Sequence, residues 1–354
     1  MTTGPVGPAT AGPLGGAALA EIRAQSQKRP RRFLPSRDTR SAYLFLLPAL
    51  LVMAIITFYP LVFQVYMSFT DYGLKNLSAT APAPNLVGLT NYGRILDNNI
   101  VIPNFDFVRI LVFNLWWALS NVVIHVVIGV SIALLLNVKN LRFRRFWRSI
   151  YILPVMVPPI IVATVWRNMF DPQNGAINQL INGTVGVLFK LPPANIDWLT
   201  HPDPIIAIGP FILPLAYFAL LAANVWLGWP LNSVVATGAL QSIPSELYEA
   251  AAMDGAGAWQ RFKTVTLPFL RPAMLPFAIY GFVVTFNLFY LSYFMSGGGP
   301  FGQTELLVTT AYRLVAEQKL YGVAAAFAVF QFFILLVITL ITNRLAKATA
   351  SYNA

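Results

Sequence analysis

Six long apolar stretches of this chain, each of 18 or more residues without an Asp, Glu, Lys or Arg, stand out: Ser41–Thr70, Ile110–Val138, Ser149–Trp166, Pro204–Ser245, Pro272–Thr304 and Leu320–Asn343. A helix needs ~20 apolar residues to cross a bilayer, and in lipid every backbone N–H and C=O must be paired within the protein. The stretches are too long and too apolar for barrel strands. They predict an all-α polytopic membrane protein with about six transmembrane helices. Only 10% of the 354 residues are charged, against about 25% in soluble domains, too few to cover a water-facing surface. The fourth stretch, of 42 residues, has room for a kinked helix plus an interfacial piece, with Gly209, Pro210, Pro214, Gly228 and Pro230 as places to bend. The outer connections, 71–109, 167–203 and around Ser296–Lys319, read as loops with short interfacial helices.

With both termini inside, segments 1–40, 139–148, 246–271 and 344–354 hold 17 Lys and Arg, and the outer connections hold 7. Basic residues accumulate on the cytoplasmic side, so a multi-pass protein of the bacterial cytoplasmic (inner) membrane with both termini in the cytoplasm is expected. Residues 1–27 are rich in Gly, Ala, Pro and Thr, and 28–40 form a basic block. Residues 1–40 therefore read as a disordered basic cytoplasmic tail, not a signal peptide. A transmembrane domain over 41–347 and a short tail over 348–354 follow. The net charge of +11 belongs to these cytoplasmic segments. Lys139–Arg148, with Phe143, Phe146 and Trp147 interleaved, reads as an anchor at an anionic membrane surface and not as a nucleic-acid site.

Several chemistries are excluded or disfavoured. There is no cysteine, so no disulfide, thiolate metal site or cysteine nucleophile. His125 and His201 lie far apart, and no paired carboxylates or metal-ligand cluster appear. No resident cofactor or metal is expected, and no enzyme. A proton-coupled secondary carrier would want Asp, Glu or His inside its helices. The six stretches hold no acid, and His125 alone is mid-span.

One cytoplasmic loop carries more information, Glu246 to Pro268. Ser245 can cap a helix whose first turn holds Glu246 and Glu249. Ala250, Ala251 and Ala252 give a small-residue face for close approach to another surface. Gly255 or Gly257 can end the helix, and Ala258–Thr264 can form a second short helix carrying Trp259 and Phe262. Pro268 and Pro272 then precede the next span. A compact helix-turn-helix is expected. Its spacing resembles the EAA loop of binding-protein-dependent ABC importer permeases: E-A-A, three residues, G, nine residues, I, one residue, L-P. Glu249-Ala250-Ala251, Gly255, Val265 and Leu267-Pro268 fall at those positions, with valine in place of isoleucine.

The resemblance extends from about Ser41 to the C-terminus. It takes in Ser68-Phe69-Thr70, Val87-Gly88-Leu89-Thr90-Asn91-Tyr92, Asp197-Trp198-Leu199, Leu240-Gln241-Ser242-Ile243-Pro244 and Gly298-Gly299-Pro300. It is nearest the MalF/UgpA branch of sugar permeases, and within it the MalF maltose permeases. It implies a type I ABC importer permease fold and a loop (Glu249, Ala250, Ala251, Asp254, Gly255, Leu267, Pro268) that seats in a cleft of a cytoplasmic ATPase. The chain has no G-x-x-x-x-G-K-[ST] phosphate loop, so ATP and Mg would bind a partner ATPase dimer. A second, MalG-like permease, an extracytoplasmic sugar-binding protein and the lipid bilayer complete the implied partners.

Two mid-span asparagines are the candidate ligand contacts. Asn224 lies 17 residues before Gln241, and Asn287 lies 16 residues after Arg271. At ~1.5 Å per residue both sit about 25 Å from the cytoplasmic face. Gly228 and Pro230 can bend the helix after Asn224 and free backbone carbonyls. Trp226, Trp229, Phe286, Phe289 and Tyr290 supply flat apolar faces, and amides beside rings suit a sugar. The same asparagines also suit plain helix-to-helix hydrogen bonding. Asn224-Val-Trp-Leu-Gly-Trp-Pro230 is similar to the N-x-W-L-G-[FW]-P stretch of MalF permeases. That similarity implies sugar contacts at Asn224, Leu227, Gly228 and Leu231, where a tyrosine is usual. On the fifth span only Asn287 keeps the expected asparagine, with Gly281 and Thr285 as further candidate contacts; Gly281, Thr285 and Leu288 stand at positions that are polar in MalF permeases, which implies a sugar with different hydroxyl contacts. A neutral sugar such as maltose or a maltodextrin is the expected cargo, with glycerol 3-phosphate as the alternative.

Overall fold

The computed structural model describes residues 37–78, 80–138 and 141–350, with side chains described for 41–78, 80–138 and 141–344. The tail expected over 1–40 falls outside these except for its last four backbone positions, as do residues 351–354. In chain order the helices are α1 (Ser41–Ser68), α2 (Thr90–Leu96), α3 (Phe107–Leu136), α4 (Arg144–Met156), α5 (Pro159–Met169), α6 (Ala176–Phe189), α7 (Leu215–Gln241), α8 (Ser245–Met253), α9 (Ala258–Ser296), α10 (Leu307–Ala316) and α11 (Tyr321–Ala350). A two-stranded antiparallel hairpin, β1 (Ile206–Ile208) and β2 (Phe211–Leu213), precedes α7. The chain divides into two compact units at Val62. The first holds the greater part of α1, which passes through a π-helical turn at Ala54–Phe58.

Among the described residues five helices, α1, α3, α7, α9 and α11, are long and apolar enough to cross a membrane. The expected third span, Ser149–Trp166, falls on the bent pair α4–α5, turned through 95°, which makes a sixth crossing if the pair is one broken span. Proline is the reason. Val157, ahead of Pro158, is extended at φ −84° and ψ 127°, as the residue before a proline prefers, and Pro158 precedes the Pro159 that opens α5. In the fourth stretch the interfacial piece is a β-hairpin, with Gly209 at φ +55° in its two-residue loop. The connections 71–109, 167–203 and around Ser296–Lys319 contain the short helices α2, α6 and α10, as expected.

The second helix of the 246–268 loop is not a separate short one. Ala258–Arg261 runs through a π-helical turn, Phe262–Thr266, into the long fifth span. A proline ring clashes with the carbonyl four residues earlier. The widened turn just ahead of Leu267-Pro268 relieves that clash and lets the helix continue. The span expected to begin at Pro272 therefore begins at Ala258.

α3 packs along α7, and α9 lies against both. Lipid tails are as apolar as leucine, so spans associate through close packing of small residues and through polar bridges. Ala133, Ala163, Ala219, Ala223, Ala236 and Ser233 are all buried, and two glycines set the approach of α3 and α7. A Cβ on Gly129 would lie 2.5 Å from Asn232 Cβ and 2.9 Å from Ser233 N, and one on Gly228 would lie 2.1 Å from the His125 ring. Each helix thus has a notch filled by a side chain or backbone of the other.

Asn114 ties three elements together. Its Nδ2 donates to Phe286 O at 3.0 Å, and its Oδ1 accepts from Leu307 N at 2.8 Å. Asn114→Leu should leave both backbone groups unpaired in a buried site, at about 1–3 kcal/mol each. The expected outcome is a lower midpoint in thermal unfolding of the detergent-solubilised protein, and an unchanged midpoint contradicts the bridge.

The loop from Gly297 to Leu306 is held by a buried acid. Glu305 accepts from Arg313 Nε at 2.7 Å and from the Thr309 hydroxyl, while Arg313 also donates to Gly297 O. Burial pushes the Glu305 carboxyl up, opposed by Thr309 and Arg313. In the loop after α1, Asp71 accepts from Lys75 Nζ and from Asn85, and these hydrogen bonds draw its pKa down to about 2.

Candidate functional site: a projecting loop and two buried amides

The loop projects by a simple alternation along α8. Tyr248 and Ala251, three residues apart, turn inward onto the buried cluster of Ala133, Ala236, Leu240, Ile243, Val265, Leu270 and Met274. Tyr248 Oη and Thr266 Oγ1 are 3.0 Å apart, joining α8 to α9. Glu249, Ala250, Ala252 and Asp254 are exposed, and Met253 is 87% exposed. The expected cap by Ser245 does not form: Pro244 occupies the cap position and no side chain caps the helix. A proline there presets the turn into the helix without a side-chain oxygen.

The other end of α8 resolves the choice between two glycines. Gly255 is at φ +78°. Its N–H meets Ala252 O at 3.1 Å, and Ala256 N–H meets Ala251 O at 2.9 Å. This pair of bonds is the Schellman closure, which wants glycine in the left-handed conformation. Gly257 is extended at φ −68° and ψ 171° and leads into α9. Beyond it Trp259, 66% exposed, stacks on Phe262, with Lys263 Nζ 4.9 Å from its ring. A cleft of about 580 Å³ opens beside α8, lined by Asn137, Tyr248, Glu249, Ala252 and Arg261 among others. Leu267 and Pro268 are half-buried at the foot of α9.

The candidate ligand residues fall into two places. On α7, Asn224 is only 4% exposed, and its Nδ2 donates to Asn121 Oδ1 of α3 at 2.7 Å. His125 Nε2 is 3.0 Å from the Asn224 backbone oxygen, and its ring fills the notch at Gly228. Leu227 packs into the buried cluster around Phe113, Trp117 and Leu291, while Leu231 is 43% exposed. α7 is not unwound at Gly228 and Pro230: it runs unbroken, and Asn232 Nδ2 bonds Gly228 O at 3.1 Å. The freed carbonyls expected there are therefore not available at Gly228.

Asn287 marks a break inside α9, between Phe286 and Phe289. Its Nδ2 donates to Val283 O at 2.8 Å, and its Oδ1 accepts from Gln331 Nε2 of α11. Thr285 is buried, Leu288 packs in the same cluster as Leu227, and a Cβ on Gly281 would find Val122 at 3.8 Å. Of the expected aromatic faces, Phe286 is fully buried, Trp229 packs on Tyr151, and Phe289 stacks on Tyr293 at 4.8 Å. Trp226 lies by Trp166 at the edge of an apolar pocket of about 270 Å³.

Asn114, Asn121 and Gln331 escaped the sequence reading. A signal was there for the first two: Asn114, Asn121, His125 and Gly129 are spaced by 7, 4 and 4 residues, one face of a helix.

Residues 125–351 match the family model of the binding-protein-dependent transport system inner membrane component. The chain belongs to that family. Among relatives, it is 32% identical over 288 residues to the galactooligosaccharides transport system permease protein GanP of Bacillus subtilis, covering 80% of this chain and 64% of that protein. It is 30% identical over 320 residues to the trehalose/maltose transport system permease protein MalF of Thermococcus litoralis, covering 89% of this chain and 96% of that one. The alignment thus spans less than two thirds of the GanP chain. Among solved structures, a bacterial ABC transporter involved in the import of the acidic polysaccharide alginate superposes with a TM-score of 0.70 at 19% identity, over 94% of this chain and 99% of its own. The fold is that of type I ABC importer permeases, and the chain is an inner membrane component of this family.

Proposed function

We propose that this chain is the membrane-embedded permease subunit of an ATP-driven importer that takes a neutral oligosaccharide, of the maltose or maltodextrin kind, from an extracytoplasmic binding protein into the cytoplasm. The observation that carries the proposal is α8. A short helix with Glu249 outward, closed by left-handed Gly255 and braced through Tyr248 on the body of the bundle, is a rigid lever for a separate motor. Both termini and α8 face the cytoplasm in this reading, in accord with the basic residues counted above. An ATPase dimer would grip α8, and a second, MalG-like permease would complete the path. ATP and its Mg would bind the ATPase; this subunit would be a transporter part and not an enzyme.

The sugar path would run past Asn224 and Asn287. The named cargoes of the relatives, galactooligosaccharides and trehalose or maltose, support a neutral sugar. Glycerol 3-phosphate would call for a cation at the ligand, and among the described residues no Lys or Arg bonds to either asparagine. In proteoliposomes holding the assembled transporter, Asn224→Leu and Asn287→Leu should each lower maltose uptake at low concentration about tenfold, the equivalent of ~1.4 kcal/mol. Assembly and basal ATP hydrolysis should survive. Wild-type uptake by both variants removes these residues from the path.

A further inference from the structure

We propose that Asn121 on α3 is a positioning residue that turns the side-chain oxygen of Asn224 to the cargo, and that on the other side Gln331 on α11, held by Asn287, presents its own side-chain oxygen there. The proposal rests on the sugar-path reading above and adds its polarity.

Backbone carbonyls only accept hydrogen bonds. Asn121 approaches Trp117 O at 2.7 Å, so the Asn121 atom there has to be Nδ2. Its other end is therefore Oδ1, an acceptor, and Asn224 has to answer with Nδ2. Asn224 Oδ1 is left facing away, and it accepts no hydrogen bond from any described residue. His125 on the Asn224 carbonyl, with its ring wedged at Gly228, fixes the main chain at the same point.

Asn287 meets Val283 O at 2.8 Å, so Nδ2 is committed there and Oδ1 turns toward Gln331. Gln331 has to donate with Nε2. Gln331 Oε1 then has no hydrogen bond among the described residues. Each chain of amides begins on a helix carbonyl and ends on an unengaged oxygen. Each of these two free oxygens can accept, and a sugar hydroxyl can donate to it. A hydroxyl replaced by fluorine, which cannot donate, should be rejected as firmly as one replaced by hydrogen.

The test uses the assembled transporter in proteoliposomes, a panel of neutral gluco- and galacto-disaccharides, and the one that wild type carries best. Asn121→Leu and Gln331→Met should each raise the half-saturation concentration about tenfold while the maximal rate stays within about twofold, the mark of a lost ground-state contact and not of a damaged fold. Asn121→Leu combined with Asn224→Leu should be no weaker than Asn224→Leu alone, because one acts through the other. Full additivity of that pair, or an unchanged half-saturation in both single variants beside an impaired Asn224→Leu, overturns the positioning role. Unimpaired Asn224→Leu and Asn287→Leu, or a wild type that carries none of the panel, overturns the sugar path itself and this proposal with it. If Asn121→Leu does not assemble, Gln331→Met makes the same test from another helix.

Discussion

Gly255→Val is expected to strip the assembled transporter of its ATPase and to cut uptake more than tenfold. Gly255 is at φ +78° with open space where a Cβ would point, so the cost is backbone strain and not collision. A left-handed residue with a Cβ costs roughly 1–2 kcal/mol, and a β-branched one is a worse case. The strain falls on the two hydrogen bonds that close α8, from Gly255 N and Ala256 N. If they break, the last turn frays and Glu249, Ala250 and Asp254 lose their common frame. Gly255→Asn is the control: asparagine enters the left-handed region readily and should retain most activity. Co-purification of the ATPase on a tagged permease, with uptake measured on the same material, reads the outcome. Normal co-purification of Gly255→Val argues that α8 is not the lever.

Gly129→Ala should destabilise the bundle by about 1–3 kcal/mol, the usual cost of overpacking a tight core. Its Cβ would sit 2.5 Å from Asn232 Cβ and 2.9 Å from Asn232 C and Ser233 N. Backbone atoms cannot swing aside as a long side chain can, so α3 and α7 have to separate along the seam that also carries Asn121, Asn224 and His125. Gly238→Ala, on the same α7 but with nothing within 4 Å, should be neutral or slightly stabilising, since alanine is the better helix former. The thermal unfolding midpoint of the solubilised protein separates the two. Equal midpoints for the two variants mean that the glycine notch does not set the helix spacing.

Much of this architecture was legible from residue order because the features involved are local. A long uncharged run, an E-A-A followed by glycine at a fixed offset, and a proline cluster at 154–159 each act over one or two helical turns. The departures also have local causes that were misjudged. Pro158 bent the third span because Val157 before it takes the extended conformation. Pro268 failed to break the fifth because a π-helical turn took up its clash. Ser245 lost the cap position to Pro244. The asparagines were located by depth alone, and their partners were invisible: Asn224 meets Asn121 across 103 residues and His125 across 99.

What the sequence by itself determined was where the chain is apolar enough to enter a membrane and that one of two neighbouring glycines ends α8, since transfer energy and backbone sterics belong to each residue and its near neighbours. Tertiary structure alone decided which helices meet through the Gly129 and Gly228 notches, where α9 breaks, and which end of each amide is left unengaged. Those are questions of shape fit and hydrogen-bond direction between distant segments, and a linear pattern of polarity does not encode them.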